Sequence, residues 1–259
     1  MSIKIYNENR LTKQPFFRSL IEFLDINQDV TLRAIKAEFK DTNNLDRKLE
    51  DYIQSGLIRR ENRRYYNNFK VFDDIDFTKE LVEESEEPNK IQILSYSKPF
   101  FLRSNSILSI KLNESQTYLL LKNEVNDLKF FFSSNFARTD DNLANYFYHV
   151  AQGIPLSTLE KDIYRIMGDV DPNYALRYMT VFLLKYTKRE LVPNKKPDIF
   201  IQTLIKYGYI EAVDDKYYKI NVEINDDFAD PQGITFDNPE EFIAAQLKAT
   251  RKIQTSFIV

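Results

Sequence analysis

Apolar side chains recur at helical spacing through the first third of the chain. Phe16, Phe17, Leu20, Ile21 and Leu24 lie on one face, which predicts a helix from a Thr12 cap through Asp25, with Pro15 in its first turn. A second, short helix is predicted from a Thr31 cap and buries Leu32, Ile35 and Phe39. A third follows Asn43-Asn44, sets Leu45, Leu49, Tyr52 and Ile53 on one face, and stops at Gly56. Beyond Gly56 the period changes. Leu57-Ile58, a polar turn Arg59–Arg64 and an aromatic return through Tyr65-Tyr66 to Phe69 predict a hairpin. Residues 91–132 hold short β-branched and aromatic runs, Ile91–Tyr96, Phe100–Leu102, Ile107–Leu112, Tyr118–Leu121 and Leu128–Phe132, which predict strands, with Asn123–Asn126 as a turn. A helix over Asn142–Gln152 turns Leu143, Phe147 and Val150 inward.

The string around the third helix occurs twice. LEDYIQSGLIRRENRRYY at 49–66 and IQTLIKYGYIEAVDDKYY at 201–218 align without a gap, so that Ile53 meets Ile205, Gly56 meets Gly208, and Tyr65-Tyr66 meet Tyr217-Tyr218. Two helices are predicted ahead of the second copy. Ser157 and Glu160 form a capping box before Leu159, Ile163, Ile166 and Met167, and Asp171-Pro172 opens a helix carrying Tyr174, Tyr178, Phe182, Leu183 and Tyr186. The face of Tyr174, Tyr178 and Tyr186 is expected to be core rather than a platform for stacked bases. Three helices followed by a hairpin is the order of a winged helix-turn-helix. The fold expected is therefore α+β, two winged-helix-like modules flanking a small strand-rich section. The expected boundaries are a first module at 1–72, an acidic linker at 73–88, the strand-rich section with its closing helix at 89–152, the second module at 153–224, and an acidic loop with a last helix from Asn238-Pro239 at 225–259.

Composition removes several chemistries. With no Cys there is no disulfide, Cys-ligated zinc, iron–sulfur cluster or thiol nucleophile. His149 is the single histidine, which excludes a multi-histidine metal site. Five glycines leave little for a phosphate-cradling loop. The acid pairs Asp169/Asp171, Asp214/Asp215 and Asp226/Asp227 are better used as caps and turns than as catalytic or metal-binding pairs. The N-terminus lacks a secretory apolar core, and no apolar run approaches a membrane span, so a cytoplasmic, non-enzymatic protein without cofactor or metal is expected.

Charge adds the functional signal. The net −3 combines +4 over residues 1–70, −7 over 71–87, and −4 over 223–259 with two mildly basic stretches between. Arg59, Arg60, Arg63 and Arg64 surround the first turn beside Tyr65, an arrangement suited to phosphates. The alternative is a solvated hairpin whose arginines protect a strand edge. The third helix presents Arg47 and Lys48 but also Asp46, Glu50 and Asp51, and the second turn, 211–216, is net −2. The candidate nucleic-acid-binding residues are Arg59, Arg60, Arg63, Arg64, Arg47, Lys48 and Tyr65. A second basic cluster, Lys185, Lys188, Arg189, Lys195 and Lys196, reads more simply as a basic helix end. The expected partner is nucleic acid or, in the alternative, a protein partner or a second copy of the chain. No membrane and no small-molecule substrate are expected.

The segments LTKQPFFRSLIEFLD, VTLRAIKAEF, LEDYIQSGLIRR and RYY within Leu11–Phe69 resemble an uncharacterised family from low-GC Gram-positive bacteria, catalogued as a domain of unknown function. LANYFYHVAQ and GDVDPNYALRYMTVFLLKY are similar to its longer members. The resemblance implies a bacterial, cytoplasmic setting and carries no activity.

Overall fold

The structure, a computed structural model, describes residues 2–27, 29–82, 93–126, 128–224, 233–249 and 257–258. Helix and sheet are mixed, and the chain packs as two units. The first comprises Met1–Glu84, Leu94–Asn113 and Thr235–Lys248, and the second Ser85–Ile93, Glu114–Ile234 and Ala249–Val259.

In the first unit the order is β1 (Ile3–Tyr6), α1 (Pro15–Ile26), β2 (Val30–Thr31), α2 (Leu32–Glu38), α3 (Leu45–Gln54), β3 (Ile58–Glu61), β4 (Arg64–Asn67), β5 (Val71–Phe72), α4 (Thr78–Val82), β6 (Ile93–Ser95), β7 (Phe100–Arg103) and α5 (Ile107–Glu114). Pro15 opens α1, as its fixed φ and missing N–H allow. Thr12 is not the cap: its Oγ1 accepts from Asn9 N at 2.8 Å in the turn ahead of the helix. Thr31 does cap α2, accepting from Ala34 N at 3.1 Å.

The core of this unit takes Phe17, Leu20, Ile21 and Leu24 from α1, Ile35 from α2, Leu45, Leu49 and Tyr52 from α3, and Ile58 and Tyr65 from the hairpin. The Tyr52 ring meets Phe17 edge-on at 4.9 Å, and its hydroxyl donates to Gln14 Oε1 at 2.9 Å. Two small sheets close around it. β2 and β3 flank β4, both antiparallel, while β7 pairs antiparallel with β1 and parallel with β5.

Two sequence expectations are corrected here. Ile107–Leu112 is helical, not a strand. Its buried positions, Leu108, Ser109 and Leu112, follow the helical repeat, while Ile107 and Ile110 are exposed. Its N-terminus is held by Ser106 Oγ, which accepts from Ser109 N at 3.1 Å, and by the Asp74 carboxylate, which accepts from Leu108 N at 2.8 Å and Ile107 N at 3.2 Å. The beginning of the stretch read as a linker is also structured. Asp73 and Asp76 form a capping box over a 3-10 turn, Asp74–Phe77, which buries Phe77 and runs into α4. The rest of that stretch, 83–88, lies outside the described residues, as do Asp226/Asp227 and 250–256.

The second unit contains the hairpin β8 (Gln116–Lys122) and β9 (Lys129–Asn135), then α6 (Leu143–Gln152), α7 (Thr158–Met167), α8 (Pro172–Leu183), β10 (Leu191–Pro193), α9 (Ile199–Lys206), β11 (Ile210–Ala212), β12 (Tyr217–Ile220), β13 (Glu223–Ile224) and, across the unit boundary, β14 (Gly233–Thr235). Asn123 builds the β8–β9 turn, its Oδ1 accepting from Val125 N at 2.9 Å and Asn126 N at 3.0 Å. The Ser157–Glu160 capping box and the Asp171 cap form as the sequence predicts. β12 runs between β10 and β11, and β15 (Phe257–Ile258) between β13 and β9. The core draws on Phe130 and Phe132 of β9, Leu143, Tyr146 and Phe147 of α6, and the inner faces of α7, α8 and α9. After β14 the chain returns to the first unit with α10 (Pro239–Lys248), where Phe242 packs against Tyr96 and Phe100 at 5.6 and 5.8 Å. Among the described residues no helix is long and apolar enough to cross a membrane.

Burial pushes the phenols of Tyr52, Tyr118, Tyr146 and Tyr186 up from the ordinary 10.0 to about 12. A raised pKa favours the protonated, folded chain. Stability from these groups is thus complete below pH 10 and is lost as pH rises through about 12. Urea unfolding across that interval should show a steady fall in stability, and a flat profile would contradict the burial of these rings.

Candidate nucleic-acid interface

The helix-to-hairpin connection sets which side chains face outward. α3 ends in a left-handed Gly56, φ +73°, with Gly56 N donating to Ile53 O at 3.0 Å and Leu57 N to Tyr52 O at 3.0 Å. That reversal starts β3 with Ile58 buried. Strand alternation then puts Ile58, Arg60 and Tyr65 on one face, and Arg59, Glu61, Arg64 and Tyr66 on the other.

The strands run further than the sequence predicts. Arg59 and Arg60 belong to β3 and pair with Tyr66 and Tyr65, so the turn is Asn62-Arg63 alone. Both turn residues have positive φ, +48° and +63°, as a two-residue hairpin turn of the primed type requires. Arg59, Arg60 and Arg63 are exposed and Arg64 half-buried. The Arg59 guanidinium lies 5.0 Å from the Tyr66 ring centre and that of Arg60 5.6 Å from the Tyr65 ring. Arg59 also reaches Glu61 Oε2 at 3.4 Å. Arg60, Arg63 and Arg64 have no carboxylate partner among the described residues, so most of the hairpin's positive charge is uncompensated.

Tyr65 is corrected as a contact residue. Only 4% of it is exposed, and it belongs to the core; Tyr66, half-buried on the outer face, is the accessible ring. α3 divides in a similar way. Arg47 is exposed, whereas Lys48 is half-buried with its ammonium 5.4 Å from the Phe16 ring centre. Asp46, Glu50 and Asp51 are exposed beside them, and Asp46 pairs with Lys36 at 2.8 Å. A helix face with three carboxylates repels the phosphates that flank a groove.

The hairpin of β11 and β12 has the same entry and a different tip. Gly208 has φ +72°, Gly208 N donates to Ile205 O at 2.9 Å and Tyr209 N to Leu204 O at 2.9 Å. Asn68 Nδ2 donates to Gly56 O at 2.9 Å in the first hairpin, and Asn221 Nδ2 to Gly208 O at 3.3 Å in the second. The ungapped alignment of the two strings nevertheless breaks at the turn. Arg60 pairs with Tyr65, while Ala212 pairs with Tyr218, so the second loop is one residue longer and Tyr218, not Tyr217, takes the buried position. Its charge is held locally. Glu211 accepts from Lys219 at 2.8 Å and Asn221 at 2.9 Å, and Asp214 accepts from Lys216 N and Tyr217 N, contacts that lower both carboxyl pKa values.

Other sequence candidates resolve into structural roles or new surfaces. His149 is buried on α6, with Nδ1 2.6 Å from Glu160 Oε1, while Glu160 Oε2 accepts from Ser157 N. Among the described residues no three His, Cys, Asp or Glu side chains gather as a metal would need. The α8 tyrosines are the largest departure: Tyr186 is buried, but Tyr174 is 50% and Tyr178 43% exposed. The sequence signal for this is the neighbouring, stronger apolar set Ala175, Leu176, Met179, Phe182 and Leu183, which claims the inner face.

Arg63 occupies a left-handed position that favours Asn or Gly. Arg63→Gly should stabilise the first unit by about 0.5–1 kcal/mol in thermal or urea unfolding. A loss of stability would contradict the turn geometry.

Residues 3–115 match the family model described as Domain of unknown function (DUF1803), a span that runs from β1 through α5 and includes the basic hairpin. The match ends before α6 and α8, whose segments are expected from sequence to resemble longer members of such a family. No curated protein and no solved structure matches the chain.

Proposed function

We propose that the protein is a non-enzymatic binding protein that contacts duplex DNA through the arginine hairpin of a winged-helix-like module formed by α1 to β4. The setting we infer, from the sequence resemblance alone, is the bacterial cytoplasm. The single observation that carries the reading is the hairpin's charge: four arginines face one glutamate, and three of the four have no carboxylate partner among the described residues. The order helix, strand, helix, helix, strand, strand, with β4 central among its three strands, supports the module.

The contact inferred is with the phosphate backbone. Arg59, Arg60, Arg63 and Arg64 supply the positive charge, Tyr66 backs Arg59, and the carboxylates of α3 keep that helix from reading base edges. Binding of this kind positions a protein on DNA with little sequence preference. A second reading, contact with a protein partner or a second copy, is favoured by those same carboxylates and by the neutralised hairpin of β11 and β12.

Duplex affinity measured against salt concentration separates the two readings. Replacing Arg59, Arg60, Arg63 and Arg64 together by Ala should weaken binding for every sequence tested, and should flatten the log–log salt dependence by about 0.9 for each arginine that touches a phosphate. Unchanged affinity and slope would overturn the DNA reading. Dimerisation or a captured protein partner, lost in the same variant, would favour the second.

A further inference from the structure

We propose that the outer face of α8 is a stacking platform for single-stranded nucleic acid, separate from the arginine hairpin and independent of whether that hairpin binds anything. The solvent side of α8 and the turn after it reads Tyr174, Arg177, Tyr178, Val181, Lys185 and Lys188, all exposed and spaced to form one stripe. No acidic residue interrupts it. At about 1.5 Å per residue, the stretch from Tyr174 to Lys185 spans roughly 16 Å, room for two or three nucleotides of an extended strand.

The rings are held rather than merely left outside. Tyr178 stacks on Phe200 of α9, centres 5.2 Å apart and planes 9° from parallel. Tyr174 leans on both, 5.0 Å from Tyr178 and 5.9 Å from Phe200, and the two hydroxyls are 3.4 Å apart. Phe200 is itself buried, so a core residue backs one face of Tyr178 while 43% of that tyrosine stays exposed. Two large aromatics exposed by 50% and 43% on one side of a well-packed helix are unusual for a surface that touches only water.

Charge selects the occupant. Over residues 172–199 there are six basic side chains, Arg177, Lys185, Lys188, Arg189, Lys195 and Lys196, against Glu190 and Asp198, a net +4. None of the six forms an ion pair among the described residues. The Lys185 ammonium rests 5.1 Å from the Phe182 ring centre, and Lys195-Lys196 stand just ahead of Phe200 in the chain. An apolar protein surface would match the tyrosines but not this charge. Bases on the rings with phosphates along the lysines satisfy both, and the rings accept any base because each has a π face. A duplex keeps its bases stacked on one another, so it offers the rings nothing.

The test is fluorescence anisotropy with a labelled oligothymidylate of about 12 nucleotides, within the range such platforms cover, against a duplex of equal length. The single strand should bind more tightly than the duplex. Tyr174→Ala with Tyr178→Ala should weaken single-strand binding about ten-fold or more with the salt slope unchanged, while Tyr174→Phe with Tyr178→Phe should retain most of it. Lys185→Ala with Lys188→Ala should instead flatten the slope by about 0.7 for each phosphate that a lysine had neutralised. Binding should persist when Arg59, Arg60, Arg63 and Arg64 are all Ala. Failure to bind the oligomer, equal affinity of wild type and the double Ala variant, or loss of binding with the four hairpin arginines each overturns the proposal. So does a dimer, seen by sedimentation, that the double Ala variant dissolves while no oligomer binds.

Discussion

The left-handed reversal at Gly56 is the constraint on which the β3–β4 hairpin depends. A Cβ at this position would meet no atom within 4 Å, so space is not what calls for glycine. The backbone itself does, because φ +73° costs an L side chain about 1–2 kcal/mol. With the reversal in place, Leu57 N returns to Tyr52 O and β3 begins with Ile58 inside. Every later residue of the hairpin inherits its side from that start. Gly208 performs the same reversal with the same pair of backbone bonds and starts β11 with Ile210 buried.

One consequence is a division of labour between adjacent residues. Tyr65 fills the core and Tyr66 supports Arg59 outside; Ile58 packs and Arg59 is exposed. Arg59, Arg60 and Arg63 thus stay exposed, with Arg64 half-buried, which keeps the desolvation cost of their charge low. The β11–β12 hairpin uses an equivalent entry but binds its own carboxylates with Lys219, Asn221 and backbone N–H groups. Two equivalent backbone entries therefore lead to tips of opposite charge.

The sequence is most legible where a local rule decides the outcome. Caps at Thr31, Ser157 and Asp171, the Asn123 turn and the stop at Gly56 all rest on bonds between residues a few positions apart. It is least legible where a distant partner decides. Ile107–Leu112 reads as a strand until Asp74, from elsewhere in the chain, holds its first amides as a helix. β2 is two residues long and exists only because β4 lies beside it. Tyr65 reads as accessible because the polar run around it hides how far the strands extend. Tyr174 and Tyr178 read as core because near-helical spacing names a face without saying which way the face points. The site residues themselves are readable as a charge cluster; their division between core, strand and tip is not.

Urea unfolding of Tyr65→Ala compared with Tyr66→Ala is the most direct probe of how strand alternation from Gly56 places Tyr65 in the core and Tyr66 on the accessible side of this hairpin. The expected loss is about 3–5 kcal/mol for Tyr65→Ala and about 1 kcal/mol or less for Tyr66→Ala. Equal losses, or the larger one at Tyr66, would contradict it.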